Sequence, residues 1–82
     1  MYIITVKKGA TKALDKAPKN VRDACWAAIS KLADDPRPHG CVKLKNDLGY
    51  RIRVGEWRVI YTIEDKELLI LIVRVGPRGG VY

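Results

Sequence analysis

Residues 49–61 constrain the fold most, because apolar and charged residues alternate there on both sides of a turn signal. Successive side chains of a strand point to opposite faces, so Arg51 and Arg53 share one face and their apolar neighbours share the other. Gly55 and Glu56 separate two such runs, which is typical of a two-residue type II′ hairpin. The predicted cross-strand pairs are Val54 with Trp57, Arg53 with Arg58, and Ile52 with Val59.

The predicted hairpin gathers Arg51, Arg53 and Arg58 on one face. Like charges directly opposite each other destabilise a sheet, and a fold that needed only a solvated face would more naturally place Glu or Thr opposite Arg53. Two interpretations stay open from these residues alone. The arginines form either an ordinary solvated face or a pocket for an anion, for which phosphate best matches the paired guanidinium donors.

The overall charge bears on the choice between these interpretations. The chain has 82 residues, with 16 Lys and Arg against 9 Asp and Glu, and a formal net charge of +7. Such an excess on one small domain, expected to span residues 1–82, indicates a nucleic acid or another acidic partner, although basic charge also serves solubility. A hydrophobic content of 48% with clear periodicity argues against a disordered chain.

The sequence indicates neither a membrane-spanning segment nor a metal site. No apolar run approaches the ~18 residues of a membrane span, and the N-terminus lacks the layout of a signal peptide, so we expect a cytoplasmic protein without a membrane partner. We expect no metal and no cofactor, because His39 is the only histidine and Cys25 and Cys41 form no CxxC motif. A reducing compartment disfavours a disulfide between the two cysteines.

The whole chain predicts an α+β fold of two layers. A β-branched run at residues 1–7 predicts an N-terminal strand. Apolar residues at helical spacing predict a helical hairpin, with one helix through Ala10 and Leu14, the other through Cys25 and Ile29, and Pro18 between them. Three to four mostly antiparallel strands follow. The helices are expected on one face of the sheet and the arginines on the other.

Four segments carry a resemblance to a known family. They are Lys43-Leu44-Lys45, Tyr50-Arg51-Ile52-Arg53, Trp57-Arg58-Val59-Ile60-Tyr61, and Val75-Gly76-Pro77-Arg78 followed by Val81-Tyr82. In this combination, over nearly its whole length, the chain resembles the RelE/ParE superfamily of bacterial and archaeal toxins. It is most similar to the RelE branch, the ribosome-dependent mRNA interferases, and the resemblance implies a RelE-like fold.

The resemblance also implies a function. It is that of a type II toxin–antitoxin system toxin that cleaves translated mRNA in the ribosomal A site without a metal: the ribose 2′-OH attacks the adjacent phosphate, and a 5′-hydroxyl leaves. The matching positions imply a catalytic set of Arg51, Arg53, Arg58, Arg78 and Tyr82, with Lys43 and Lys45 as RNA-binding residues. The implied partners are the ribosome, mRNA and a cognate antitoxin, with which such toxins form hetero-oligomers.

The chain departs from this family at positions that bear on catalysis. The best-known bacterial members carry lysine where this chain has Arg51 and Arg53, and the first lysine is held to be the general base. Arginine stays protonated, with a pKa above ~12, so we expect Arg51 to orient the phosphate while water or the ribosome takes the proton. Pro77 stands where many relatives carry a basic residue. Tyr82 is either a stacking residue or a frayed chain end, and Arg74 is expected to be a solvated charge at a strand end.

Two further functions stay open, because one fold can serve several activities. ParE-like members inhibit DNA gyrase without catalysis, and a non-toxic RNA-binding module could keep the same fold. The arginine set together with Tyr82 favours the mRNA interferase over the gyrase inhibitor. Mapping of mRNA ends after induced expression separates the two, because only the interferase cuts within translated codons.

Overall fold

The computed structural model describes residues 1–77. This part of the chain contains two helices and five strands. In chain order they are β1 (Ile3–Val6), α1 (Lys8–Lys16), α2 (Lys19–Lys31), β2 (Val42–Lys43), β3 (Tyr50–Val54), β4 (Trp57–Glu64) and β5 (Leu69–Pro77). Short 3₁₀ turns at Lys45–Asp47 and Asp65–Glu67 precede β3 and β5.

The two helices form where apolar residues recur at helical spacing. α1 buries Ala10 and Leu14, and α2 buries Cys25 and Ile29, as the sequence predicted. Pro18 lies at the N-cap of α2, where its missing N–H removes no helical hydrogen bond. Neither helix is long and apolar enough to cross a membrane, and the same holds for every helix in residues 1–77.

The five strands form one mixed sheet in the order β1-β5-β4-β3-β2. β2, β3, β4 and β5 pair antiparallel in succession, and β1 pairs parallel with β5. The predicted α+β fold with mostly antiparallel strands is therefore confirmed. β5 has a neighbour on each side, which agrees with the continuous apolar run at residues 68–73.

Residues 42–45 alternate between apolar and charged side chains, as in a strand, but only the first two of them form one. β2 ends at Lys43, and the chain then turns at Lys45–Asp47. Asn46 and Asp47 both adopt the left-handed backbone conformation, with φ of 59° and 57°. Asn and Asp tolerate this conformation better than most residues, which is why the turn signal here prevails over the alternating pattern.

The hydrophobic core lies between the two helices and one face of the sheet. Its buried members come from both layers: Ala10, Leu14, Cys25, Ile29 and Leu32 from the helical layer, and Ile52, Val59, Tyr61, Ile70, Ile72 and Val75 from the sheet. Each sheet residue in this set points toward the helices. The side chains between them in sequence point to the opposite face of the sheet, which the two helices do not cover.

Gly49 brings the turn before β3 close against β4. Its φ is 106°, and a Cβ atom at this position would collide with the backbone carbonyl oxygen of Tyr61. Gly55 also has a positive φ, 61°, but a Cβ atom there would meet open space. A side chain at Gly55 would therefore add backbone strain alone, whereas a side chain at Gly49 would add backbone strain and also a clash with the backbone of β4.

We predict that Gly49→Ala destabilises the fold much more than Gly55→Ala does. The left-handed conformation alone costs a non-glycine residue roughly 1–2 kcal/mol, which applies to both variants. Only Gly49→Ala must also push β3 away from Tyr61. Urea unfolding of the purified variants measures the difference. Equal losses in the free energy of unfolding would show that the close approach at Gly49 is not needed.

Candidate functional site

The β3–β4 hairpin has the register that the sequence predicted. Val54 pairs with Trp57, Arg53 with Arg58, and Ile52 with Val59. Gly55 has a φ of 61° and Glu56 does not have a positive φ, as a type II′ turn requires. Arg53 and Arg58 therefore lie directly opposite each other on neighbouring strands.

Among residues 1–77, four arginines share the face of the sheet that is turned away from the helices. Directly paired residues of neighbouring strands place their side chains on the same face. One row of pairs contains Arg51, Ile60 and Arg74, and the next row contains Arg53, Arg58 and Gly76. We call Arg51, Arg53, Arg58 and Arg74 the arginine face. Arg53 and Arg74 are exposed, and Arg51 and Arg58 are half-buried.

Arg74 joins this face because of a β-bulge, which sequence reasoning missed. The register of β4 against β5 shifts between Ile60, which pairs with Arg74, and Tyr61, which pairs with Ile72. One additional residue, Val73, is accommodated on β5. Arg74 therefore lies within β5, which runs to Pro77, and not at the strand end that the sequence had suggested.

The arginine face supplies fixed positive charge and an array of hydrogen-bond donors. A guanidinium group stays protonated at any ordinary pH, so the face can bind phosphate oxygens and stabilise negative charge that develops on them. It cannot supply a general base. The chemistry that it suits best is one in which the substrate brings its own nucleophile.

The other predicted site residues are not all on this face. Lys43 pairs with Tyr50, so it lies on the helix side of the sheet at its edge, and Lys45 is exposed in the turn that follows. Arg78 and Tyr82 lie outside the described residues. The structure thus brings together Arg51, Arg53 and Arg58, and it separates Lys43 from them.

A cluster around Arg37 connects four distant parts of the chain. Arg37 donates two hydrogen bonds to the Asp65 carboxylate, at 3.2 and 2.9 Å, and Tyr2 donates a third at 2.7 Å. The same guanidinium lies over the Tyr50 ring, 5.2 Å from its centroid, and its Nε donates to the Tyr50 hydroxyl at 3.3 Å. No short-range pattern predicts such contacts, because the partners are up to 63 positions apart in the sequence.

Tyr61 links this cluster to the core. Its hydroxyl donates to the carbonyl oxygen of Pro36 at 2.7 Å, and its ring stacks on that of Tyr50 with 5.9 Å between centroids. Burial raises the pKa of Tyr61, and interaction with Cys41 raises it further, so the hydroxyl remains a donor at ordinary pH. These contacts hold the loop at residues 36–38 against the sheet.

An open depression of about 290 Å³ lies beside this cluster, at the edge of the sheet. It is lined by charges of both signs, which include Arg37, Lys43, Asp47 and Asp65. Cys25 and Cys41 are free thiols, and burial raises the pKa of Cys25. In residues 1–77, no group of three or more His, Cys, Asp or Glu side chains is placed so that it could hold a metal ion.

Comparison with known proteins identifies relatives along the whole chain. Residues 4–82 match a family model described as the ParE toxin of type II toxin–antitoxin systems, parDE. The toxin RelE of Mycobacterium tuberculosis is 27% identical over 84 aligned residues, which cover 99% of this chain and 86% of that protein.

Solved structures agree with the fold. RelE in the archaeal RelE–RelB complex from Pyrococcus horikoshii matches with a TM-score of 0.84 and 30% identity, over 96% of this chain and 97% of that one. A RelBE-type toxin–antitoxin complex from Mycobacterium tuberculosis matches with a TM-score of 0.81 and 24% identity, over 94% and 98% of the two chains. The predicted RelE-like fold is thereby confirmed.

The Arg37 cluster makes a pH-dependent contribution to stability. Hydrogen bonds from Arg37, and then from Tyr2, hold the pKa of Asp65 below its usual value of 3.8. A carboxyl group whose pKa is lowered in the folded state stabilises the fold fully at every pH above the pKa that the group has in the unfolded chain. This stabilisation is lost as the pH falls through the lowered value.

We therefore predict that Asp65→Asn lowers the melting temperature at pH 7. The deficit should begin to shrink below about pH 4, where the unfolded chain takes up a proton, and should become small once the pH has fallen through the lowered pKa of Asp65, where the folded parent is protonated as well. Asp34→Asn, an exposed carboxyl in the turn after α2, is the matched control. Thermal melts across this pH range decide the matter. A deficit that stays constant down to the lowest pH would contradict the stated role of the ion pair.

Proposed function

The chain belongs to the ParE toxin family of type II toxin–antitoxin systems, within the RelE/ParE superfamily, and we propose that it cleaves mRNA on the ribosome. The observation that carries this proposal is the arginine face. Arg53 and Arg58 lie opposite each other at a cost in sheet stability, on a surface that the helices leave open. A polyanionic substrate offsets this repulsion when it binds.

In the proposed reaction, the RNA supplies both the nucleophile and the leaving group. The 2′-OH of one ribose loses its proton and attacks the adjacent phosphorus atom. The bond from phosphorus to the 5′-oxygen breaks, and that oxygen takes up a proton and leaves as a 5′-hydroxyl. The other product carries a 2′,3′-cyclic phosphate. Negative charge builds up on the phosphate oxygens in the transition state, where fixed guanidinium groups stabilise it.

The roles of individual residues follow from this reaction. Arg51, Arg53 and Arg58 would hold and neutralise the phosphate, with the proton passing to water or to the ribosome because arginine stays protonated. Arg78 would contact the phosphate or the leaving oxygen, and Tyr82 would stack on a base. The ribosome would align the mRNA for in-line attack. The activity would take place in the cytoplasm, because translation takes place there. Lys43 and Lys45 would contact RNA away from the cleaved bond.

The proposed protein partner is a cognate antitoxin. The toxins in the similar archaeal and mycobacterial structures are complexed with antitoxins. An antitoxin segment that combines acidic residues with an amphipathic helix or strand would match the +7 charge of this chain and the apolar side chains exposed on its surface, which include Ile3 and Leu69. Toxin and antitoxin would then form a hetero-oligomer.

A second candidate is inhibition of DNA gyrase without catalysis. The matching family model is that of the ParE toxins, which supports this alternative. The 30% identity with an archaeal RelE over 96% of the chain supports the interferase instead. The two candidates differ in their product, because only the interferase generates new RNA ends.

We predict that Arg53→Ala and Arg58→Ala each reduce mRNA cleavage by about 100-fold or more, because each removes a group that stabilises charge in the transition state. The melting temperature of Arg53→Ala should stay unchanged or rise slightly, since repulsion across the strands is relieved. Primer extension in a purified translation reaction measures the cleavage. A thermal melt of the same sample measures stability.

Arg22→Ala is the matched control, because Arg22 lies on α2 in the other layer of the fold. It should leave cleavage at the parental level. The proposal fails if Arg53→Ala and Arg58→Ala cleave like the parent protein. It also fails if the parent leaves mRNA intact in this reaction while it inhibits gyrase.

A further inference from the structure

Arg74 is the member of the arginine face that has no role in the proposed reaction. It is the only charged residue in the nine residues of β5, and its side chain is exposed. The β-bulge at Val73 turns it to the side of the sheet that carries the other three arginines. Bulges of this kind often redirect a side chain beside a functional site, so Arg74 is a candidate for a contact with the substrate.

The spacing of Arg74 from its nearest partner in the row differs from that of the other two arginines. Arg53 and Arg58 pair directly, so their Cβ atoms are about 5 Å apart and their guanidinium groups approach a ligand together. Arg51 and Arg74 lie two strands apart, at roughly 10 Å, because neighbouring strands are ~4.8 Å apart. This wider gap leaves room for one phosphate group with a guanidinium group on each side.

Ile60 occupies the position between Arg51 and Arg74. It pairs with Arg51 on β3 and with Arg74 on β5. An acidic residue at this position would pair with both guanidinium groups and neutralise them, and opposite charges across strands also stabilise a sheet. The aliphatic side chain of Ile60 pairs with neither. The three residues therefore carry two positive charges and no negative one, which favours an anion from outside the chain.

The two rows of the arginine face are spaced like successive phosphates of an extended strand. Arg51 and Arg53 are two residues apart on β3, which separates the rows by about 6.8 Å. This is close to the length of one sugar–phosphate unit. An RNA strand that crosses the rows can therefore present one phosphate to each of them. Arg51 lies next to both positions, and its five N–H donors allow it to contact both phosphates.

We propose that Arg74 binds the phosphate next to the one that is cleaved, with Arg51 on the other side of that phosphate, while Arg53 and Arg58 act on the cleaved phosphate. This inference rests on the proposed function and adds a second phosphate subsite to it. The charge of the neighbouring phosphate does not change during the reaction. Arg74 therefore stabilises the bound strand and the transition state equally, and it raises affinity without accelerating the chemical step.

The first measurement tests whether Arg74 contacts phosphate at all. Binding of a short single-stranded RNA is followed by fluorescence anisotropy over a series of salt concentrations. Arg74→Ala should bind about tenfold more weakly, and its log–log salt slope should fall by roughly 0.7, the value for one phosphate contact on a single strand. Arg74→Lys should keep the salt slope of the parent. Arg22→Ala, which removes the same charge from α2, should bind like the parent.

The second measurement identifies the phosphate. The mRNA in the ribosomal A site carries a 2′-deoxy nucleotide at the cleaved position, so that it stays intact, and one methylphosphonate, which removes the charge of a single phosphate. At one neighbour of the cleaved phosphate, this change should weaken binding of the parent but not of Arg74→Ala. At the cleaved phosphate itself, it should weaken binding of both proteins by the same factor, because that phosphate and Arg74 act independently.

Cleavage of unmodified mRNA separates affinity from catalysis. Arg74→Ala should raise the concentration of programmed ribosomes needed for half-maximal cleavage and change kcat by less than about threefold, whereas Arg58→Ala should lower kcat. A thermal melt of each variant checks folding, and exposed Arg74 should be replaceable without a lower melting temperature.

Unchanged RNA binding by Arg74→Ala would overturn the proposal, even if the parent cuts mRNA. So would a methylphosphonate effect that is the same in Arg74→Ala and the parent at both neighbouring phosphates, or a loss of kcat as large as that of Arg58→Ala. A parent protein that binds RNA through Arg74 yet leaves translated mRNA intact would support the phosphate contact and contradict the proposed function.

Discussion

The two-residue turn at Gly55 and Glu56 is the constraint on which the candidate site depends. It fixes the register of β3 against β4, and a slip by one residue would turn every side chain of one strand to the other face. Arginines would then enter the core, at a cost of several kcal/mol for each unpaired charge. The apolar residues Ile52 and Val59 can be buried only in the observed register, and that register places Arg53 opposite Arg58.

The β-bulge on β5 keeps apolar side chains on the helix side of the β4–β5 pair and arginines on its other side. Ile72 and Val75 are both buried in the core although they are three residues apart, which a regular strand with a period of two does not allow. The additional residue at Val73 resolves this conflict and turns Arg74 toward the arginine face. Bulges often redirect a side chain beside a functional site, and here the redirected side chain is an arginine.

Local features of the fold were predictable, and features that depend on distant pairing were not. The hairpin and the two helices follow from turn residues and from periodicity within short windows. The parallel pairing of β1 with β5 and the bulge depend on strands far apart in the sequence. The same holds for the Arg37 cluster and for the side of the sheet that Lys43 occupies, which β2 acquires only by pairing with β3. The roles of Arg78 and Tyr82 remain predictions.

The central claim is that the arginine face stabilises charge on a phosphate while the RNA attacks itself. The most direct test replaces one 2′-OH with hydrogen, at the nucleotide whose 2′-OH would attack, in an mRNA held in the ribosomal A site. The account predicts that the parent protein cuts the unmodified mRNA, with a 5′-hydroxyl and a cyclic phosphate at the new ends, and does not cut at the deoxy position. Cleavage at the deoxy position, or no cleavage of either mRNA, would contradict it.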